Sequence, residues 1–362
     1  MPPTGLSAPT IVGRSEDLLS SDRFSKSCVG IVVLNFNGTD DTLECLESLE
    51  PLNAKNVLIW VVDNGSKEDP TERIAARFKW CVVARSPTNE GWAGGNNIGI
   101  RLAMQAKCDW VMLLNNDTKV SLSIVSRLLD AAALDNQVGI IGPMINEWAA
   151  PDSVQTAASL FNRQGCDYIF QSAGTEANSN HLPTVMATDV VNGCCMMIRA
   201  DVVGKIGLID ERFYLVHEES DFCLRAKKAG FRCGVLTESH VWHKHSVTFS
   251  RDPSPLQRYY GSRNSWLLTK KHSDLPNIRG RWSTRKLLLR HAWWMINVEL
   301  ESGSPQSARA VVDGVFDAWF GRFGRRQDRR RPVAAVTSRA IFGLVKLRNF
   351  LQGHPKRDVS VK

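Results

Sequence analysis

The stretch Trp110-Val111-Met112-Leu113-Leu114-Asn115-Asn116-Asp117-Thr118 constrains the fold more than any other part of the chain. A short apolar run that stops at two amides and a carboxylate reads as a buried strand emptying into a loop, and in open α/β sheets ligands gather at such carboxyl ends. Asp117 is therefore aimed at a site, although an Asp after a strand serves equally as a turn residue or helix N-cap. Other runs end in the same way. Gly30 to Phe36, which includes Asn35, is followed by Asn37-Gly38, and Val57 to Val62 stops at Asp63-Asn64.

Between residues 30 and 146 strand and helix signals alternate, which predicts a largely parallel sheet with helices on both faces. Thr39 or Asp40 caps a helix carrying Leu43, Leu46 and Leu49, and further strands are predicted at Cys81 to Ala84 and Val138 to Ile141, with a helix at Leu122 to Leu134. The stretch Asn89 to Gly99 reads as a glycine-rich loop, including Gly94, whose backbone can approach a ligand ahead of a helix N-terminus. Glycines before a helix also serve plain turns. Residues 147 to 185 have weak periodicity and are expected to form an insertion over the sheet. Past them, Ala187 to Arg199 is extended and apolar. His217-Glu218-Glu219-Ser220-Asp221 reads as the acidic first turn of a helix, in which Asp221 and Arg225 form an i,i+4 pair. His240 to Ser246 places histidines, His243 among them, just after another strand.

Composition excludes little. The formal charge is +8, but residues 322 to 362 hold twelve Lys or Arg against Asp328 and Asp358, so that tail carries +10 and the rest −2. Nine cysteines without C-x-x-C spacing suit buried thiols in a reducing compartment rather than a disulfide framework. The first 25 residues lack the basic start and apolar stretch of a signal peptide, and no run approaches ~18 apolar residues. The expectation is a cytoplasmic protein, peripheral on the inner face of the plasma membrane if it meets a membrane at all.

Taken in order, VVLNFNG, VVDNGS, NEGWAGGNNIG, LLNNDT, VNGCCMMIR, IGLIDERFYLVHEESDFCLR and VWHKHS resemble the inverting family 2 glycosyltransferases of the GT-A fold, in particular a bacterial rhamnosyltransferase-like branch. The resemblance spans roughly residues 28 to 250, with a weaker match in Tyr259-Tyr260-Gly261-Ser262-Arg263-Asn264. It implies a Rossmann-like α/β domain over 28–250, behind a flexible segment 1–27 and ahead of a helical region 251–350 and a basic tail 351–362. It also implies transfer of a sugar, rhamnose from dTDP-rhamnose by family weighting, to a glycan or lipid-linked acceptor in cell-surface polysaccharide synthesis. The donor side would comprise Asn35, Asn37, Asp63, Asn64, Gly94, Asn96, Asn97, Asn115 and Asn116, with Asp63 accepting the pyrimidine N3–H. Asp117 and His243 would hold Mn²⁺ or Mg²⁺, and imidazole favours Mn²⁺. Inversion needs a base on the acceptor hydroxyl. The family's base position falls on Glu219, where an Asp is usual; the longer side chain keeps Glu218 in contention. Asp221 would hold the helix start, and with Asp210 it is assigned to the acceptor side.

In the C-terminal third, helices mixing Trp or Leu with Arg or Lys suit an anionic membrane interface, and suit ordinary core packing with a solvated tail equally well. Two other classes compete. A nucleic-acid-binding protein would use the five Arg between 325 and 331, but leaves the acidic strand ends unexplained and lacks interleaved aromatics. A nucleotidyltransferase would want a basic glycine-rich loop near the N-terminus, where Asn37-Gly38-Thr39-Asp40-Asp41 is acidic.

Overall fold

The computed structural model describes residues 27–53, 56–162, 167–171, 184–244, 254–272, 278–327 and 332–351. Of the expected N-terminal segment 1–27 all but Ser27 lies outside these residues, as does the tail from 352 to 362. Contacts divide the chain into two units. One holds the described residues up to Phe161 together with Tyr168–Glu211 and Glu218–His245; the other holds Asn162–Asp167, Arg212–His217 and the C-terminal helices.

The first unit opens with β1 (Val29–Asn35), α1 (Thr39–Leu49), β2 (Val57–Asp63), α2 (Thr71–Arg77), β3 (Val82–Arg85), α3 (Gly91–Gln105) and β4 (Trp110–Asn115). It continues through β5 (Thr118–Val120), α4 (Ile124–Ala133), β6 (Val138–Glu147), β7 (Val154–Thr156), β8 (Ala158–Asn162), β9 (Asp167–Gln171), β10 (Val185–Thr188), β11 (Cys195–Arg199), α5 (Ala200–Ile206), α6 (Glu218–Lys228) and β12 (Arg232–His243). Ten strands form one sheet along the order β10-β12-β6-β11-β4-β1-β2-β3, with β5 pairing β12 and β7 pairing β6; β8 and β9 pair separately. The β3-β2-β1-β4 half is parallel, and β11 enters antiparallel between β4 and β6. This is the mixed α/β architecture expected.

Side-chain alternation decides which helices cover which face. Val29, Ile31 and Val33 of β1, with Met112 and Leu114 of β4, pack under α1, α2 and α4. Val32, Val111 and Leu113, one residue out of phase, pack under α3, α5 and α6. Both faces of these strands are apolar, so their sequences read as continuous hydrophobic runs.

Three expectations need correction. The residue preceding α1 is Gly38 and no side chain caps the helix, so neither Thr39 nor Asp40 is its cap. The glycine-rich stretch is helix: α3 begins at Gly91 and contains Gly94, Gly95 and Gly99. The last two serve packing, since a Cβ on Gly99 would lie 2.1 Å from Val32 Cγ1 and one on Gly95 2.5 Å from Leu34 Cδ1. His240 and His243 do not follow a strand but lie within one, β12, whose register against β6 slips between Leu236 and His240, opposite Pro143 and Met144. Pro143 has no N–H to give the ladder, and the extra residues of β12 bulge there.

In the second unit α7 (Pro255–His272), α8 (Ile278–Glu301), α9 (Pro305–Trp319) and α10 (Pro332–Leu351) follow one another. Met295 and Ile296 of α8, Val311 and Val312 of α9 and Ala334 of α10 share a core. α7 and α9 cross closely at Gly314, where a Cβ would stand 2.4 Å from the Tyr259 carbonyl oxygen. No described helix is long and apolar enough to cross a membrane.

Candidate active site

Parallel pairing brings the carboxyl ends of β1, β2 and β4 to one edge, with Asn35 opposite Asp63 and Leu34 opposite Asn115. Asp63 is fully buried. Its Oδ1 accepts from Asn35 Nδ2 (2.8 Å) and Ser66 Oγ (2.5 Å), and its Oδ2 lies 3.2 Å from Arg85 Nε and 3.3 Å from the Ser66 N–H. The last contact is the turn-capping role open to an Asp in this position. Asn35 Oδ1 in turn accepts from the Thr42 hydroxyl (2.9 Å) and from Asn116 Nδ2 (3.4 Å), so Asn35, Asp63 and Asn116 form one network. Asn37, with φ +55°, stands at its exposed rim: its N–H reaches Ser66 Oγ (2.8 Å) and its Oδ1 accepts from the Lys67 N–H (2.9 Å). Asn tolerates that left-handed conformation better than most residues.

The predicted amides on and around α3 divide. Asn64, at the end of β2, donates to the Gly91 carbonyl (2.9 Å) and accepts from the Glu90 N–H (3.0 Å), fixing where α3 starts. Asn115 Oδ1 accepts from Trp92 Nε1 (3.2 Å). Asn96 bonds to its own helix at the Trp92 carbonyl (2.9 Å). Asn97 is buried and spent on the loop before α6: it donates to the Ile209 carbonyl and Glu211 Oε1 (both 2.9 Å) and accepts from the Ile209 N–H (3.0 Å). That clasp holds the half-buried Asp210 against α3.

Asp117 sits at the corner between β4 and β5. Because β5 pairs antiparallel with the end of β12, Thr118 lies opposite His243 and the two predicted metal residues become neighbours. His243 Nε2 is 3.3 Å from Asp117 Oδ1, and the side chains are 11% and 4% exposed. Asp117 Oδ2 is buried with no hydrogen bond among the described residues. His243 Nδ1 donates to Gln155 Oε1 (2.9 Å), which turns Nε2 toward the carboxylate. An imidazole nitrogen and a carboxylate oxygen held 3.3 Å apart in a buried place are donors that could serve a divalent cation. Lys244 pins the strand end: its N–H bonds to the Asp117 carbonyl (3.0 Å), and its ammonium pairs with Asp41 (2.8 Å) and with Glu44.

α6 starts at Glu218, so the acids occupy its first turn, where the macrodipole favours negative charge. Glu218 is buried and Glu219 half-buried. Burial holds the Glu219 carboxyl above the usual carboxylate range, against the pull of a hydrogen bond from the Ser220 hydroxyl (3.3 Å). Asp221 is fully buried and pairs with Arg225 Nε (2.8 Å), whose other nitrogens donate to the carbonyls of Ile206 and Leu208 (2.7 and 2.8 Å). Asp221 therefore positions the helix start. Sequence reasoning missed Ser66, Arg85 and Gln155; Ser66 lies inside a recognised motif, whereas Gln155 falls in the weakly periodic stretch and carried no signal.

In the second unit the residues just before Glu218 are strained, with Tyr214, Val216 and His217 at φ +66°, +71° and +74°. Such conformations cost about 1–3 kcal/mol each and persist only where the surroundings enforce them. Asn264 Nδ2 is shared among the carbonyls of Phe213, Leu215 and Val216 (2.7–2.8 Å), and Arg263 Nη2 donates to those of Arg212 and Phe213 (3.1 and 2.9 Å). The Tyr259 to Asn264 motif thus holds this loop.

The mixed α/β sheet, with carboxylates at its parallel strand ends and a buried Asp–His pair beside them, has the fold of its solved neighbours, which are GT-A glycosyltransferases. Residues 30–206 match the model of glycosyl transferase family 2, and the chain carries that family's domain. It is 25% identical over 301 residues to the low-salt glycan biosynthesis hexosyltransferase Agl10 of Haloferax volcanii, covering 81% of this chain and 90% of that protein. It is 23% identical over 288 residues to an N-acetylglucosaminyl-diphospho-decaprenol L-rhamnosyltransferase of Mycobacterium tuberculosis, covering 74% and 92%. The crystal structure of GalNAc-T7 with UDP, GalNAc and Mn²⁺ superposes with a TM-score of 0.51 at 14% identity, over 66% of this chain and 47% of that one, so the match spans about half of that protein.

Proposed function

We propose that this glycosyltransferase moves a hexosyl group, rhamnose from dTDP-rhamnose, onto a lipid-linked glycan with inversion at the anomeric carbon. The observation that carries the donor half is the buried pair of Asp117 and His243, 3.3 Å apart, with Asp117 Oδ2 left without a hydrogen bond among the described residues. Asp117 and His243 would hold a divalent cation, Mn²⁺ by the imidazole's preference, as in the GalNAc-T7 structure. When bound, such a cation supplies the charge that stabilises a leaving diphosphate. Asn115, neutral where a second carboxylate would serve, keeps the pair's charge low. Asp63, with Asn35 and Ser66 on its oxygens, would take the pyrimidine N3–H at the base end of the donor. Glu219 takes the proton from the acceptor hydroxyl; its raised pKa makes it a stronger base than an exposed carboxylate, and it has the exposed surface that Glu218 lacks. Rhamnose and the lipid-linked acceptor are supported by the mycobacterial relative's activity.

The test is incubation with dTDP-rhamnose or UDP-hexoses, a polyprenyl-diphosphate-linked N-acetylglucosamine and Mn²⁺, following the nucleotide product. Nucleoside diphosphate release that stops with chelator is expected. Pyrophosphate release, or turnover that survives both chelator and Asp117→Asn, would overturn the reading.

A further inference from the structure

The helical unit carries a face that includes none of the residues assigned above to donor, metal or base. From Ile278 to Val298 the sequence contains Arg279, Arg281, Arg285, Lys286 and Arg290 but no Asp or Glu. Trp282, Trp294, Trp319 and Phe320 are 61%, 58%, 55% and 56% exposed, which is unusual for side chains that normally bury most of their area. They are not scattered. Trp282, Leu289, Trp294 and Trp319 line one open groove together with Arg285 and Arg290. An adjoining groove shares Leu289 and Trp319 and adds Phe316, Phe320 and Ile341.

The charges on this face are also uncommitted. Elsewhere in the unit Arg258 pairs with Glu299, Arg309 and Arg326 with Asp313, and Arg322 with Asp317. Among the described residues, Arg285, Lys286 and Arg290 make no ion pair. Arg285 instead lies 5.6 Å from the ring centroids of both Trp282 and Trp319, so the cation and the indoles are presented together. Exposed indoles next to unpaired cations match the depth profile of an anionic membrane interface, where Trp sits at the headgroup level and Arg or Lys meets lipid phosphate. The aliphatic and Phe lining of the adjoining groove suits acyl chains and offers little to stacked bases.

We propose that this face of α8 and α9 docks on an anionic lipid bilayer surface. The docking agrees with a lipid-linked acceptor but does not depend on it, and it assigns the attachment to helix α8 rather than to the basic C-terminal tail.

The test uses the full chain with vesicles of phosphatidylcholine alone or mixed with phosphatidylglycerol. Binding to the mixed vesicles, a blue shift of tryptophan emission and release as salt rises are expected. Neutralising one surface cation weakens partition about fivefold, so Arg285→Gln/Lys286→Gln/Arg290→Gln should lose about a hundredfold. Trp282→Ser/Trp294→Ser should also lose binding, while Arg329→Gln/Arg330→Gln/Arg331→Gln should retain it, each with a native unfolding midpoint. The proposal is overturned by undiminished binding of both α8 variants, by loss confined to the Arg329–Arg331 variant, by equal binding to phosphatidylcholine alone, or by a groove that takes single-stranded RNA or a micellar polyprenyl diphosphate but no vesicle.

Discussion

Replacing Asp117 by Asn separates a metal ligand from a turn residue, because the two roles predict opposite changes in stability. In the native protein Oδ2 is buried without a hydrogen bond among the described residues, while Oδ1 lies 3.3 Å from His243 Nε2. An asparagine amide, which offers both a donor and an acceptor, would pair with His243 Nε2 and remove the buried charge. An unsatisfied buried polar group costs about 1–3 kcal/mol, so without metal the variant should be more stable by on the order of 1 kcal/mol. For a body of this size that raises Tm by about 2–4 °C. With Mn²⁺ and a nucleoside diphosphate the order reverses. A ligand at a hundred times its Kd adds about 2.7 kcal/mol, or about 5–10 °C by the same scaling. Even residues that only support metal ligands are worth 10–100-fold in affinity, so losing the carboxylate itself should remove most of that gain. Differential scanning calorimetry with and without Mn²⁺ and dTDP or UDP measures both. A metal-free midpoint that falls by several degrees, with the Mn²⁺-dependent gain intact, would refute the reasoning and leave Asp117 a turn residue.

Glu219→Gln should lower turnover about 10²–10⁴-fold with donor affinity unchanged, and the acid limb of native kcat/KM should lie above the usual carboxylate range because burial raises that group. The same shift means the ionised carboxylate weighs against folding: what the group contributes is present below its unfolded pKa and lost as pH rises through the folded one, so Glu219→Gln should stabilise at neutral pH and not in acid. A dead Glu218→Gln beside an active Glu219→Gln would move the base by one residue. Gly99→Ala, with its Cβ 2.1 Å from Val32 Cγ1, should lower the urea midpoint by an overpacking cost of about 1–3 kcal/mol at unchanged m; an unmoved midpoint would mean α3 can shift on the sheet. Asn264→Leu leaves the carbonyls of Phe213, Leu215 and Val216 without that donor, and limited proteolysis within 212–217 should accelerate; undiminished resistance would show the strained loop supports itself.

The strand ends were legible because β1, β2 and β4 are apolar on both faces and stop at Asn or Asp, a signal local to a few residues. What joins them was not. Asp117 and His243 meet through β5, a three-residue strand that no sequence period could mark, and the histidine is turned by Gln155 from a stretch with no signal at all. The glycines of α3 misled for a related reason. Helix propensity argues against such a run, whereas its cause is the close approach of the helix to Val32 and Leu34, which only the tertiary packing reveals.

Charge shows the same limit. A sum over the sequence assigns an excess of +10 to residues 322–362, as though all of it faced solvent. Part of that segment is tied to the helical unit: Arg322 and Arg326 pair with Asp317 and Asp313, Arg326 lies 4.6 Å over the Tyr259 ring, and the Gly324 carbonyl accepts from Arg263 Nη1 (2.5 Å). Arg263 is buried, so a chain ending at Gly321 would strip an acceptor from a guanidinium that cannot reach water and would lose both carboxylate pairs. Failure of such a truncation to bind vesicles would report damage to the helical unit rather than loss of an anchor. The cations able to act on a partner are those with no acid of their own, and in the described helices these include Arg285, Lys286 and Arg290 on α8, where neutralisation leaves the packing of the chain's end untouched.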